Sequence, residues 1–376
     1  MTNKELRVAV IGAGRWAQRA HIPGWQRDER VEVAALVDLN AALAKETADR
    51  FGIARAATDY RDVLEDPTIE VVDVTTGNEA HFEISWASLE AGKHVLCEKP
   101  VHHDARETSR AAALAQAKGL KTKLGFTFRY APAIQYAKDL IDEGFVGVPY
   151  IFNGYEQNSQ WIDPSTPLRQ AEHVPTSDDE IVVSSIEGYG APTIDIMHWW
   201  VNSQITNVVG TMRNFVPERV LRSTGKMERI KIDDGDMWIC EFEDDVIASM
   251  QSSYVTVGNF PGIEVRIYGS EGAIIVRLVD EFGICQTIKT ATKDSVEFVE
   301  REIPERYFPK GGTSREAWDS LFYSNLVRNF VDEILGEATE VQGDFAQGAL
   351  VQRTINAFER SFRQRRWVQF SEVEGA

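Results

Sequence analysis

Apolar and polar positions alternate in two different ways along this chain. In the first third, short continuous apolar runs are separated by stretches with helical spacing. Leu6–Ile11 and Val31–Val37 are such runs, and each predicts a strand buried on both faces. Helical spacing fills the interval to about Gln26, and Ala41–Phe51 reads as a helix closed by Gly52, a usual stop residue. Val71–Thr75 then predicts a strand, Glu79–Leu89 a helix stopped near Gly92, and His94–Cys97 a strand. Asp104 caps a helix running to about Lys118, Gly119 stops it, and Lys121–Phe126 is one more strand. Strands and helices in strict alternation imply a doubly wound parallel sheet with crossover helices, an α/β fold of the Rossmann kind.

The pattern changes near Arg129. A helix from about Ala133 to Asp142 ends at Gly144. Val246–Tyr254 and Ile263–Ile267 then alternate with period two, as half-exposed antiparallel strands do. Between these regions, Trp161–Ser185 is polar and rich in Pro, Ser and Asp, and a loop that long is expected to be a lid, a binding loop or a disordered segment. Helical spacing returns from Trp318 to Arg363. The expected division is therefore a doubly wound domain over residues 1–128 and an α+β domain with a large, mostly antiparallel sheet over 129–376.

The length of 376 residues suits two domains, and 43% hydrophobic with 26% charged residues is an ordinary globular mixture. The formal net charge of −18 argues against nucleic acid and against anionic membrane surfaces as partners. No window approaches a membrane span, and Met1–Glu5 carries no apolar leader, so a cytoplasmic location is expected. Cys97, Cys240 and Cys285 are far apart and form no Cys-x-x-Cys pair, so three reduced thiols are expected and no zinc or redox site of that type.

Three motifs carry candidate chemistry. Gly12-Ala13-Gly14-Arg15-Trp16-Ala17 follows the first strand directly and opens a helix, the context in which a dinucleotide fingerprint works. Gly12 permits the tight turn, Gly14 lets the backbone approach a pyrophosphate, and Ala17 packs helix on sheet. The helix N-terminus offers N–H donors to the phosphates. Asp38 ends the second strand, where a carboxylate accepts the adenosine ribose hydroxyls and repels a 2′-phosphate, so NAD is expected over NADP. Glu98-Lys99-Pro100 ends the strand His94–Cys97, at the edge where doubly wound sheets bind ligands.

Taken in order, these motifs resemble the Gfo/Idh/MocA family of sugar and polyol oxidoreductases. The resemblance extends through Val74-Thr75-Thr76-Gly77-Asn78-Glu79-Ala80-His81, Arg129-Tyr130-Ala131-Pro132, Gly144-Phe145-Val146-Gly147, Asp233-Asp234-Gly235 and Ile267-Tyr268-Gly269-Ser270-Glu271-Gly272. It implies that Lys99 sits beside the nicotinamide and touches the reacting hydroxyl, where an ammonium stabilises developing alkoxide and relays its proton. It also implies that Asn78 and His81 border the nicotinamide. Arg15 and Trp16 of the fingerprint, with Thr75, Glu98 and Arg129 from the matched segments, complete the candidate cofactor set. Gly77 stands where the family usually has Pro.

A larger departure lies at Gly188-Tyr189-Gly190-Ala191-Pro192-Thr193-Ile194-Asp195. The family commonly reads Asp-x-Gly-x-His-x-x-Asp there. The resemblance implies that Asp195 binds a substrate hydroxyl, but Gly188 and Pro192 replace the first Asp and the His, so the usual imidazole base is missing. Tyr189 is a substitute if its pKa is lowered. His198, three residues after Asp195 on the same helix face, and His173 in the long loop are further candidates for substrate contact, with Arg129. Trp161, Trp238, Tyr254 and Phe260 have the rings to stack on a sugar, although such aromatics are more often core. His102-His103 diverge in direction and suggest no metal.

The function expected from these residues is an NAD-dependent oxidoreductase moving hydride between nicotinamide and a hydroxyl-bearing carbon of a sugar, polyol or glycoside. Two alternatives stand beside it: a redox glycosidase that uses NAD catalytically, and a non-catalytic NAD-binding regulatory protein. A homodimer or homotetramer is expected, because Val246, Ala248, Met250, Ser252 and Tyr254 share one strand face and leave the opposite sheet face open.

Overall fold

A computed structural model describes residues 6–168, 183–257, 262–279, 286–295, 297–313, 316–338, 340 and 342–373. The chain forms two compact units, the first holding residues up to Ala131 with Phe308–Gln352, the second Pro132–Tyr307 with Arg353–Val373.

The first unit is built on six parallel strands: β1 (Leu6–Ile11), β2 (Val31–Val37), β3 (Arg55–Ala57), β4 (Val71–Val74), β5 (His94–Cys97) and β6 (Thr122–Leu124). Their order is β3-β2-β1-β4-β5-β6, the doubly wound arrangement. The reversal falls at β1, so the β1/β4 crevice is its switch point. The helices are α1 (Ile22–Gln26), α2 (Ala41–Phe51), α3 (Arg61–Leu64), α4 (Asn78–Glu90) and α5 (Ala105–Ala117). Local rules set their ends. Asn40 caps α2 through its side chain, and Gly52 closes it at φ 69°. Asp104 caps α5 by accepting from the Arg106 N–H.

The division by chain order at 128/129 differs from the division by packing. After α6 (Pro132–Asp142) and α7 (Ala191–Val201) of the second unit comes α8 (Trp318–Leu335), and α8 belongs with the first. Its Tyr323, Leu326, Val327, Phe330 and Val331 join Val8, Trp25, Leu36 and Leu96 in one buried cluster. Lys123 of β6 is fully buried and ion-pairs with Glu333 of α8, which fastens the helix to the sheet edge.

Among the described residues the second unit has a nine-stranded sheet. Its strands are β7 (Pro149–Gln157), β8 (Ile205–Arg213), β11 (Gly235–Phe242), β12 (Ile247–Ser253), β13 (Gly262–Gly269), β14 (Gly272–Val279), β15 (Gln286–Thr292), β16 (Val299–Arg301) and β17 (Val368–Gln369). The order is β16-β15-β14-β13-β7-β12-β11-β8-β17, with β7 and β12 parallel and the other neighbours antiparallel. A small ribbon, β9 (Glu218–Val220) with β10 (Met227–Arg229), stands apart. Along β11 and β12, Trp238, Cys240, Ala248 and Met250 are buried, while Met237, Ile239 and Ile247 point the other way and are exposed. The strand alternation in the sequence thus predicts the buried face correctly. The last helix, α9 (Phe345–Gln364), packs Phe358 on Trp238.

Candidate active site

The fingerprint turn is held by backbone geometry that only glycine supplies. Gly12 has φ 108°, and a Cβ there would meet the Thr75 carbonyl oxygen at 2.6 Å. Thr75 Oγ1 donates to the Gly12 carbonyl at 2.9 Å, tying the turn to the end of β4. A Cβ on Gly14 would meet nothing within 4 Å, so the backbone there faces open space of the kind a pyrophosphate takes. Asp38 accepts from the Ala13 N–H at 2.8 Å and from the Asn40 N–H at 2.9 Å, one oxygen each. Its carboxylate is thereby fixed at the end of β2, with lone pairs left for a ribose diol. Arg15 is exposed, Trp16 is half-buried, and Ala17 is buried as expected. These residues fit a bound dinucleotide.

The helix after the fingerprint is not a regular α-helix. Ala17–His21 winds as a π-turn, closed by the Ile22 N–H bonding to the Ala17 carbonyl. Pro23 follows, and its missing N–H cannot serve the carbonyl of Arg19. The wider turn delivers His21 into the interior, fully buried.

There His21 meets the motif that ends β5. Glu98 Oε1 accepts from the Trp16 indole N–H at 3.0 Å and lies 3.2 Å from His21 Nε2. Glu98 Oε2 accepts from the Lys99 N–H at 3.3 Å. The other histidine nitrogen, Nδ1, lies 2.9 Å and 3.0 Å from the two oxygens of Asp73, which also accepts from Trp25 Nε1 at 2.7 Å. Burial pulls the His21 pKa down, but Asp73 and then Glu98 outweigh burial and raise it to about 9. Burial pushes Glu98 up, yet the His21 bond and charge, Lys99 and Trp16 together hold it below the usual carboxylate range. His21, Asp73 and Tyr323 were absent from the sequence-derived site. The available signal was Asp73 itself, a lone acid in the apolar run Val71-Val72-Asp73-Val74.

Other candidates in this unit have structural partners. His81 faces the Pro100 carbonyl at 2.7 Å through Nδ1 and the Thr76 carbonyl at 3.2 Å through Nε2, and burial lowers its pKa. The ring lies between the loops after β4 and β5 and shapes the site there. Asn78 begins α4 behind Gly77, and Lys99 is half-buried. Arg129 is 2% exposed, with its side chain near Gly343.

In the second unit, Tyr189 sits on another π-turn, Ile186–Gly190, which leads into α7 with Pro192 in its first turn. Its hydroxyl donates to Gln160 Oε1 at 2.8 Å and accepts from Trp161 Nε1 at 2.8 Å. Burial pushes its pKa up to about 12, against the opposing Trp161 bond. The lowered pKa that would make Tyr189 a base is therefore not found, and the residue serves as a hydrogen-bonding anchor. Trp161 packs beside the small cluster of Leu168, Leu221, Ile230 and Ile232. Trp238 and Tyr254 are buried core rings, and the Tyr254 hydroxyl donates to the Asp233 carbonyl at 2.6 Å. Asp195 is fully buried on α7. His198 is 6% exposed with Nε2 2.8 Å from Thr354 Oγ1, so it fastens α7 to α9 and its expected substrate contact is not supported. His173 and Phe260 lie outside the described residues. Among the described residues no three His, Cys, Asp or Glu side chains gather as metal ligands. No described helix is long and apolar enough to cross a membrane.

Comparison with known proteins adds the chemistry. A family model described as "Oxidoreductase family, NAD-binding Rossmann fold" matches residues 6–126, and one described as "GFO/IDH/MocA C-terminal domain" matches residues 134–275. The chain is 30% identical over 298 residues to a levoglucosan dehydrogenase of Pseudarthrobacter phenanthrenivorans, covering 72% of this chain and 73% of that protein. It is 30% identical over 246 residues to an inositol 2-dehydrogenase/D-chiro-inositol 3-dehydrogenase of Lactiplantibacillus plantarum, covering 65% and 63%. A solved levoglucosan dehydrogenase in complex with NADH superposes with a TM-score of 0.85 at 24% identity, covering 99% of this chain and 100% of that chain.

Proposed function

Because this chain belongs to the GFO/IDH/MocA family of oxidoreductases and its first part is an NAD-binding Rossmann fold, we propose that it is an NAD-dependent dehydrogenase of a sugar, polyol or related glycoside. The observation that carries the reading is Lys99. It stands two residues past β5, directly after a Glu98 that is bonded to the fingerprint's own Trp16. When bound, NAD supplies the hydride acceptor. The chain's residues supply the rest. Lys99 in its amine form would take the proton of the reacting hydroxyl, and the ammonium so formed would donate to the developing alkoxide and stabilise it. Asp38 holds the ribose diol, Gly12 and Gly14 admit the pyrophosphate, and Asn78 borders the nicotinamide side. Asp195 is assigned to a substrate hydroxyl on the resemblance alone. With Pro192 in place of the usual His, Lys99 is left as the proton-handling group.

The carbohydrate class is supported by the relatives, whose names describe dehydrogenases of levoglucosan and inositol. Those names favour net oxidation over the redox glycosidase. Residues 1–128 would then bind the cofactor, and 129–376 would hold the substrate and the subunit contacts. Cytoplasmic location agrees with the free, buried thiols of Cys97 and Cys240. A homodimer or homotetramer is supported by the exposed apolar side chains of Ile151, Met237, Ile239 and Ile247 on one sheet face.

The test is turnover on a carbohydrate panel with NAD. Stoichiometric NADH is expected from the wild type, and Lys99→Met should lower turnover by roughly 10²–10⁴-fold while NAD affinity is retained. Aglycone release with no net NADH, or near-wild-type turnover in Lys99→Met, overturns the reading.

A further inference from the structure

One buried histidine in the first unit has a carboxylate on each ring nitrogen. Asp73 lies at Nδ1 and Glu98 at Nε2. An ionised carboxylate only accepts hydrogen bonds. A neutral imidazole between two of them would set a lone pair against one carboxylate, away from water, at a large cost. The acids themselves have the bonding of ionised groups. Glu98 takes the Trp16 indole N–H on Oε1 and the Lys99 N–H on Oε2, and Asp73 takes the Trp25 indole N–H. The geometry therefore calls for an imidazolium with both N–H groups donating.

The groups around it are countable. Asp73 comes from β4 and Glu98 from the end of β5. Tyr323 of α8 reaches Nδ1 with its hydroxyl, and burial holds that phenol neutral. The Cys97 thiol is also kept neutral by burial, and the Lys99 charge lies beyond Glu98. His21 is thus the cation that balances one of two buried carboxylates. Trp16 stacks edge-on to both His21 and Tyr323, which closes the pocket from the fingerprint side.

We propose that His21, held as an imidazolium by Asp73, is a positioning residue for Lys99, keeping Glu98 ionised and locked between Trp16 of the fingerprint loop and the Lys99 backbone. It touches no reacting atom. It acts through Glu98, whose two oxygens join the cofactor turn to the proton-handling lysine. Loss of the His21 proton leaves two buried carboxylates with no cation between them. Glu98, whose side chain is 14% exposed, then gains by turning toward water, and the Lys99 backbone loses its anchor. Because the His21 pKa is held up to about 9, that loss belongs to the alkaline range. The inference rests on the reading of Lys99 as the proton-handling residue.

Two measurements on the full-length protein test it. The first is long-range proton–nitrogen NMR of isotope-labelled histidine, from about pH 6 to about pH 10. One ring should keep both N–H groups through neutrality and lose one near pH 9, and Glu98→Gln should move that titration to lower pH. The second is the pH dependence of kcat. The wild type should lose turnover as pH rises through the same range. His21→Gln, which keeps a donor without the charge, should lower kcat by roughly 10–100-fold, leave the KM for NAD within about twofold, and lack that alkaline fall. Neutral rings for every histidine at pH 7.5, or a His21→Gln enzyme with wild-type kcat and the same alkaline fall, overturn the proposal. Should His21→Gln fail to fold, the resonance displaced in Glu98→Gln both identifies His21 and decides the question. Unchanged turnover in Lys99→Met would overturn the role of the lysine while the histidine titration stands, so the two failures are distinguishable.

Discussion

Single residues here divide into those whose chemistry faces a ligand and those whose chemistry faces the fold. Asp38 does both, since each oxygen holds one backbone N–H and retains lone pairs for a ribose. Asp38→Ser should weaken NAD binding and admit NADP, narrowing the preference, which equilibrium titration of both cofactors measures. Tyr189 faces the fold. Tyr189→Phe removes the bonds to Gln160 and Trp161 at a cost of about 1 kcal/mol and should leave the pH–rate profile in place. A shifted alkaline limb in that variant would restore it as a base. His21 adds a pH dependence of stability. Its folded pKa of about 9 lies above the ordinary 6.5, so its contribution is complete below about pH 6.5 and is lost as pH rises through 9. The amount is about 3 kcal/mol, and urea denaturation at pH 7 and pH 10 should show the decline.

At the scale of elements, the same device occurs twice. Ala17–His21 and Ile186–Gly190 are π-turns, and each is followed two residues later by a proline, Pro23 or Pro192. A proline removes one backbone donor, and the widened turn displaces side chains from the positions that regular helical spacing assigns. Functional candidates sit on both turns, His21 on one and Tyr189 on the other. Helix α2 shows the opposite case, where local rules suffice. Asn40 Oδ1 accepts from the Ala42 N–H at 3.1 Å and from the Leu43 N–H at 3.2 Å. Asn40→Ala should destabilise the protein by about 1 kcal/mol, read as a lower denaturation midpoint with an unchanged slope.

The whole molecule is two compact units whose boundary does not follow chain order, since α8 supplies core to the first unit after the second has been built. A truncation before α8 would therefore strip Tyr323, Leu326 and Phe330 from the doubly wound domain and expose its core. On the second unit's sheet, Ile247 pairs with Ile151, and Ile239 and Met237 lie on the same face of β11, all exposed. If that face joins subunits, Ile239→Glu with Met237→Glu should reduce the assembly to monomers in light scattering while the thermal transition persists. A wild-type monomer at micromolar concentration removes the proposal.

The sequence alone determined the doubly wound sheet, because buried parallel strands are short apolar runs and the cap Asp104, with the stops Gly52 and Gly119, is a local signal. It also determined the fingerprint, Asp38 and Lys99, since each belongs to a motif contiguous in the chain or set at a fixed distance along it. The buried face of β12 was readable for the same reason, as period two needs only neighbours. What the tertiary structure decided depends on residues far apart. His21, Asp73, Glu98 and Tyr323 meet across four elements, and no local pattern pairs them. His198 was offered for substrate contact by its helical spacing from Asp195, and its Nε2 lies 2.8 Å from Thr354 Oγ1, 156 positions away, a contact no local pattern predicts. The pKa of Tyr189 followed the same logic, because burial is a property of the surroundings and not of the residue. The motif brought the lysine to the edge of the sheet, and only the packed interior assembled the charges around the residue before it.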